Sequence, residues 1–215
     1  MLANKRVLVC SKNRLTLTAV SLAEPILQSL IGGATTEDEA LQIQLESNPD
    51  VLITSEDLER GYGIRLVEKA KQQSPGLKAL IFLSRETPEV VQEAMEAGAD
   101  GVMFVSSIGT GDGDFIHALR TTNSGGIYYP KAVLKTATAK VKPAPILVDP
   151  LSERELEVIQ CIIQGMKNTE IADSLFISAE TVKSDVSTAI QKLGVRDRTQ
   201  AAVFALTYGL IEANI

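Results

Sequence analysis

The stretch that most limits what this chain can become is its last third, from Leu151 to Leu210, where helix start and stop signals recur at short intervals. Ser152 with Glu155 three residues on predicts a capping box, in which each side chain takes a backbone N–H of the other. Leu156, Ile159 and Ile163 then recur at helical spacing, and Gly165 stops the run. Asn168 is placed to cap a short second helix with Ile171, Ala172 and Leu175 on its inner face. Phe176 and Ile177 make a tight turn, Ser178 caps again, and a longer helix runs to Leu193 before Gly194. Asp197 with Gln200 predicts one more capping box, which opens the final helix.

A short helix, a tight turn and a longer helix have the spacing of a helix-turn-helix unit, here about 168–187, whose second helix enters the major groove. Val182, Val186, Ala189 and Leu193 fall on one side of that helix and are predicted to bury. Glu180, Lys183, Ser184, Ser187 and Gln191 fall on the other. The segment resembles the LuxR-type helix-turn-helix domain of the NarL/FixJ response regulators. The matching words are Leu151-Ser-Glu-Arg-Glu, Asn168-Thr-Glu-Ile-Ala, Ser178 with Thr181-Val-Lys, and Lys192-Leu-Gly-Val. The resemblance and the helical geometry together imply that Lys183, Ser184 and Ser187 project toward base edges of double-stranded DNA. Lys183 has the strongest discriminating chemistry, through guanine O6 and N7. Thr181, Lys192 and Arg198 are then placed to meet phosphates and fix the register. The bland alternative for these polar residues is a solvated helix face. Where relatives commonly carry Lys, Asn-His and Arg, this chain has Glu180, Ser184-Asp185 and Gln191, which leaves target sequence and affinity open. The final helix, with Ala201-Ala-Val-Phe-Ala-Leu, is apolar nearly all round and predicts two packed faces. One covers the core. The other suits a homodimer partner, as in this family, or is buried within the one chain.

Residues 1–130 alternate short apolar runs with amphipathic stretches. Strands are predicted near 5–10, 29–34, 50–55, 78–83 and 101–105, and helices near 13–24, 37–47, 62–73, 87–97 and 113–122. Strict alternation implies an α/β domain with a parallel sheet and helices on both faces. Pro25 is predicted to end or kink the first helix. Pro49-Asp50-Val-Leu, Glu93-Ala94, Ala97-Gly-Ala-Asp-Gly101 and Gly125-Gly126-Ile-Tyr-Tyr-Pro130 resemble a response-regulator receiver domain, which is flavodoxin-like. The expected order is thus a receiver at 1–130, a Lys/Pro-rich extended linker at 131–149, and an all-α four-helix LuxR-type domain at 150–215.

Receiver chemistry needs two carboxylates for Mg²⁺ after the first strand, an Asp ending the third, a hydroxyl ending the fourth and a Lys ending the fifth. Aligned on its own landmarks, this chain has Ser11 and Lys12, Ser55, Leu83 (with Ser84 next to it) and Val105 at those places. A lysine cannot ligate Mg²⁺, and a serine cannot form an acyl phosphate. The expectation is an atypical receiver with no phospho-acceptor, no metal and no cofactor. Glu56 or Asp57 sliding into the acceptor role is the alternative, disfavoured without a metal pair. Lys12 can stand in for the metal's charge by pairing with Glu56 or Asp57, or be a plain surface lysine.

Three weaker features flank that edge. The glycine-rich loop Gly109–Gly113 can cradle an anion or simply flex, and its two aspartates, Asp112 and Asp114, favour the second reading. Cys10 reads as packing rather than as a redox sensor, and His117 has no partner at metal or catalytic spacing. No acid–base pair or activated nucleophile emerges, which argues against an enzyme.

Charge sharpens the picture. The chain carries net −6. Residues 150–215 hold 6 basic against 9 acidic residues, which is unusual for a DNA reader. Lys131, Lys135, Lys140 and Lys142 in the preceding segment can compensate. There is no membrane-length apolar run or signal-peptide pattern, and two cysteines lie in different segments, so a reducing cytoplasm is expected. The leading expectation is a transcriptional regulator whose input is dimerisation, a protein partner or a small ligand at the receiver. The rival is an interaction protein of the same architecture with little DNA binding.

Overall fold

The structure, a computed structural model, describes residues 2, 4–108, 115–139, 145, 147 and 149–211. Five parallel strands form one sheet: β1 (Val7–Cys10), β2 (Leu30–Ala34), β3 (Val51–Ser55), β4 (Lys78–Leu83) and β5 (Gly101–Phe104), in the order β2-β1-β3-β4-β5. β1 and β5 are buried along their whole length and β3 as far as Thr54, as continuous apolar runs require when helices cover both faces. The helices are α1 (Arg14–Ser21), α2 (Glu24–Leu27), α3 (Glu37–Ser47), α4 (Gly63–Gln73), α5 (Pro88–Glu96) and α6 (Phe115–Asn123). Asn13 caps α1 and Thr36 caps α3 through their side-chain oxygens. The first predicted helix divides in two. α1 stops at Ser21, and Pro25 stands in the first turn of α2, where its missing N–H costs nothing.

The predicted linker needs correction. Its first seven residues form α7 (Lys131–Ala137), with Val133 and Ala137 buried. This helix packs on α5, and the Gln92 side chain donates to the Ala137 carbonyl at 2.9 Å. The lysines had suggested an extended solvated segment, but apolar residues at helical spacing between them outweigh that composition. Lys140 and Lys142 lie outside the described residues, as does the glycine-rich loop from Gly109 to Gly113.

α8 (Glu153–Ile163), α9 (Asn168–Leu175), α10 (Ala179–Leu193) and α11 (Arg198–Thr207) make the C-terminal helical domain. The Ser152–Glu155 box is present in both directions, Ser152 N donating to Glu155 Oε2 at 2.6 Å and Glu155 N to Ser152 Oγ at 3.2 Å. Two expected caps differ. Lys167, not Asn168, occupies the cap position of α9, where the Glu170 carboxylate accepts its backbone N–H at 3.0 Å. Asp197 caps α11, but the Gln200 side chain does not fold back to complete a box. It crosses instead to the first domain, donating to the carbonyls of Met95 at 3.2 Å and Glu96 at 2.9 Å.

The two domains share one continuous apolar cluster. α11 has Ala201, Ala202, Val203, Ala205 and Leu206 all buried, one side against α8 and α10 and another against α5. Thr199 Oγ1 donates to Asp100 Oδ1 at 3.1 Å, and Asp100 also receives Lys71 Nζ at 2.6 Å, Lys78 Nζ at 3.1 Å and Ala79 N at 2.9 Å. Four donors on one buried carboxylate compensate its desolvation. Nearby, a Cβ on Gly126 would stand 2.4 Å from the Gly165 carbonyl, so bare backbone meets backbone there.

Candidate nucleic-acid interface and receiver pocket

The helix-turn-helix turn is made by Phe176, left-handed at φ 55°, followed by Ile177, whose N–H returns to the Ala172 carbonyl at 3.0 Å. Ser178 Oγ accepts the Thr181 N–H at 3.0 Å and thereby starts α10. Val182, Val186, Ala189 and Leu193 are buried, as the spacing predicted. Thr181, Lys183, Ser184 and Ser187 are exposed on the opposite face with Glu180 and Gln191. Lys183 is the lone cation among these six. Asp185 is half-buried, with one carboxylate oxygen lacking a hydrogen-bond partner.

Two expected phosphate contacts stand apart from this face. Lys192 is turned inward, with Nζ 3.0 Å from Glu155 and 3.7 Å from Asp149 and donating to the Pro150 carbonyl at 3.2 Å. Arg198 donates to Asn168 Oδ1 at 2.9 Å and to the Met166 carbonyl at 2.6 Å. Burial lowers the pKa of its guanidinium, and its Nε has no partner. Both side chains tie helix ends together within the domain. Arg196, in the α10–α11 loop, is exposed, and sequence reasoning passed over it. The signal available was its charge alone, in the loop between Gly194 and the Asp197 cap.

At the carboxyl edge of the sheet Ser11, Lys12, Ser55, Asp57, Ser84 and Val105 line one cavity. Ser55 ends β3 and donates to the Asp57 carbonyl at 2.8 Å and to Ser11 Oγ at 3.3 Å. Lys12 pairs with Asp57 at 3.0 Å, the second of its two expected partners, with both side chains about half exposed. Such a pair contributes little to stability. Leu83 is fully buried in the core, while Ser84 lines the cavity beside Phe82. The residue at the cavity is therefore Ser84, next to the Leu83 expected from the count back from Gly98. Val105 lines the same cavity and is half exposed.

Glu56, fully buried, faces away from this cluster: it accepts the N–H groups of Ser84 at 2.7 Å and Arg85 at 3.0 Å and pairs with the Arg85 guanidinium. It is a strut for the β4–α5 loop, not a free acceptor. Burial, with Glu39 and Glu37 nearby, pushes the Cys10 thiol up to about 12, so it stays protonated and packs as an apolar group. His117 rests edge-on against Tyr128. Among the described residues no group of three metal-ligating side chains converges.

A flavodoxin-like receiver joined to a four-helix domain with an exposed helix-turn-helix reading face defines a response regulator that acts through DNA. Residues 149–205 match the family described as bacterial regulatory proteins, luxR family. Over 173 residues the chain is 32% identical to YxjL of Bacillus subtilis, named an uncharacterized transcriptional regulatory protein, covering 78% of each chain. It is 31% identical over 183 residues to the response regulator VraR of Staphylococcus aureus, covering 85% of this chain and 86% of that one. In fold it is similar to RcsB in a structure of two dimers bound to two parallel DNAs, with TM-score 0.57 and 20% identity over 95% of this chain and 98% of that one. RcsB of Salmonella typhimurium gives TM-score 0.56 and 22% identity over 96% of this chain and 99% of that one. The chain belongs to the LuxR-type, NarL/FixJ-like response regulators. It is a DNA-binding regulator and not an enzyme.

Proposed function

We propose that the protein is a sequence-specific transcriptional regulator whose receiver works without aspartyl phosphorylation. The observation that carries the second half is the Ser11–Ser55 hydrogen bond, flanked by the Lys12–Asp57 pair, in the place where metal-binding carboxylates and an acceptor aspartate are required. Base reading falls to Lys183, Ser184 and Ser187, with Thr181 at the helix N-terminus and Arg196 as a further phosphate contact. Lys192 and Arg198 serve the domain's own stability. The receiver unit then runs through α7 to Ala137, and the DNA-binding unit begins near 150.

The functional species on DNA is a homodimer built through α11, as its apolar composition suggests. In the closed chain α11 is covered by α5, so dimerisation requires the two domains to part. A regulator of this kind works in the cytoplasm, and no helix among the described residues is long and apolar enough to cross a membrane. Input reaches the receiver as a protein partner or a small ligand.

Recovery of genomic DNA bound to the protein tests this directly. Enrichment of a common motif supports the reading. Retention of no fragment at low salt overturns it in favour of an interaction protein, the alternative kept alive by the excess of acidic over basic residues in 150–215.

A further inference from the structure

A cavity of about 300 Å³ opens at the carboxyl ends of β1 and β3, and we propose that it binds a small neutral molecule with an apolar body and one hydroxyl or carbonyl group. The inference rests on the reading that this receiver does not handle phosphate. Position is the first argument. In the order β2-β1-β3-β4-β5 the strand direction of winding reverses between β1 and β3, and open parallel sheets bind ligands in the crevice at that reversal. The volume is at the lower bound of small-molecule sites.

Chemistry is the second argument. Val9, Ile53 and Phe82, all buried, make an apolar floor. Ser11, Ser55 and Ser84 supply hydroxyls around it. Val105 and Ile108 stand about half exposed, at 46% and 51%, where an apolar occupant would cover them. Among the described residues, the only charged ones lining the cavity are Lys12 and Asp57, and these neutralise each other at 3.0 Å. An anion finds no free cation there, and a divalent cation finds one carboxylate already engaged. An apolar body with a single polar group gains the burial and a serine partner without leaving a charge desolvated.

Benzyl alcohol is the probe, with toluene as its counterpart lacking the hydroxyl, titrated into the full chain while Ile and Val methyl resonances are followed. The expected result is saturable shifts at Ile53, Val105 and Ile108 with both. Val105→Trp, which fills the mouth, should weaken both by about tenfold or more. Ser84→Ala should weaken benzyl alcohol by about fivefold and leave toluene unchanged. Shifts that are unsaturable or scattered over the molecule, or that survive Val105→Trp intact, overturn the proposal. A parallel sample receives acetyl phosphate with Mg²⁺. A phosphoryl adduct there overturns the phosphate-free reading and this inference with it. Absence of both adduct and probe binding overturns this inference alone.

Discussion

Single side chains decide most of what this protein can and cannot do. With Ser11, Lys12, Ser55 and Val105 at the receiver positions, acetyl phosphate and Mg²⁺ should leave the mass unchanged; an added phosphoryl group that disappears in Asp57→Asn would show a displaced acceptor at work. Lys183 carries the reading face's positive charge, so Lys183→Ala should cost about 1–3 kcal/mol at the specific site and relax base preference, measured by binding to a substituted operator series. Arg198→Ala should act differently from what its sequence position suggests. Losing the hydrogen bonds to Asn168 and Met166 should lower domain stability by about 1.5–3 kcal/mol in urea unfolding, with the salt dependence of DNA binding unchanged. A steeper loss of binding than of stability would return Arg198 to the phosphates. This is also where sequence reading reached its limit. Periodicity located the outward face of α10 because burial repeats every 3.6 residues, but it gave no direction for long cations at helix ends. Lys192 and Arg198 found carbonyls and carboxylates from other helices, and those partners are distant in sequence.

At the scale of elements, strand positions were legible almost to the residue, since a buried parallel strand is an apolar run between breakers. Leu83 and Ser84 show how much one position matters at a strand end: Leu83 lies in the core, and Ser84 lines the cavity. The role of α11 was only half legible. Its apolar sequence announced two packed faces, but whether the second meets α5 or another chain depends on the fold around it. Thr199→Val with Gln200→Ala removes the cross-domain hydrogen bonds to Asp100, Met95 and Glu96 while sparing the apolar contact. At about 1 kcal/mol per bond this should shift the opening equilibrium roughly a hundredfold and tighten dimerisation, read by sedimentation. An unchanged monomer–dimer balance would mean α11 is not the dimer helix. The α3–α4 corner sets acid tolerance. Glu37 is held down to about 2 by Arg65 first, with Lys69 and the Tyr62 N–H, against the push of burial. Its folded pKa lies below the unfolded value of about 4.3, so its contribution is full above that pH and is lost as pH falls toward 2. Glu155 is lowered too, the Ser152 N–H and Lys192 outweighing burial, and adds to the same loss. Urea midpoints measured from pH 6 to 2 should fall over that window, and Glu37→Gln should flatten the fall.

As a whole molecule, and with α11 as the proposed dimer helix, the chain sets two surfaces in competition for one helix. The receiver reaches α11 through its own tether, whereas a second copy must arrive by diffusion. A tethered competitor acts at an effective concentration of about millimolar for a short flexible connection, lowered where the geometry is strained. The amount of protein in the cell then becomes a variable in its own right. Below the level at which a second copy outcompetes the tether, extra molecules add to a silent pool. Above it, nearly every added molecule enters a pair, so paired molecules rise in proportion to abundance. On that reading the contact between Gln200 and the carbonyls of Met95 and Glu96 works as a threshold, and the pairing it holds back depends on how many copies a cell contains.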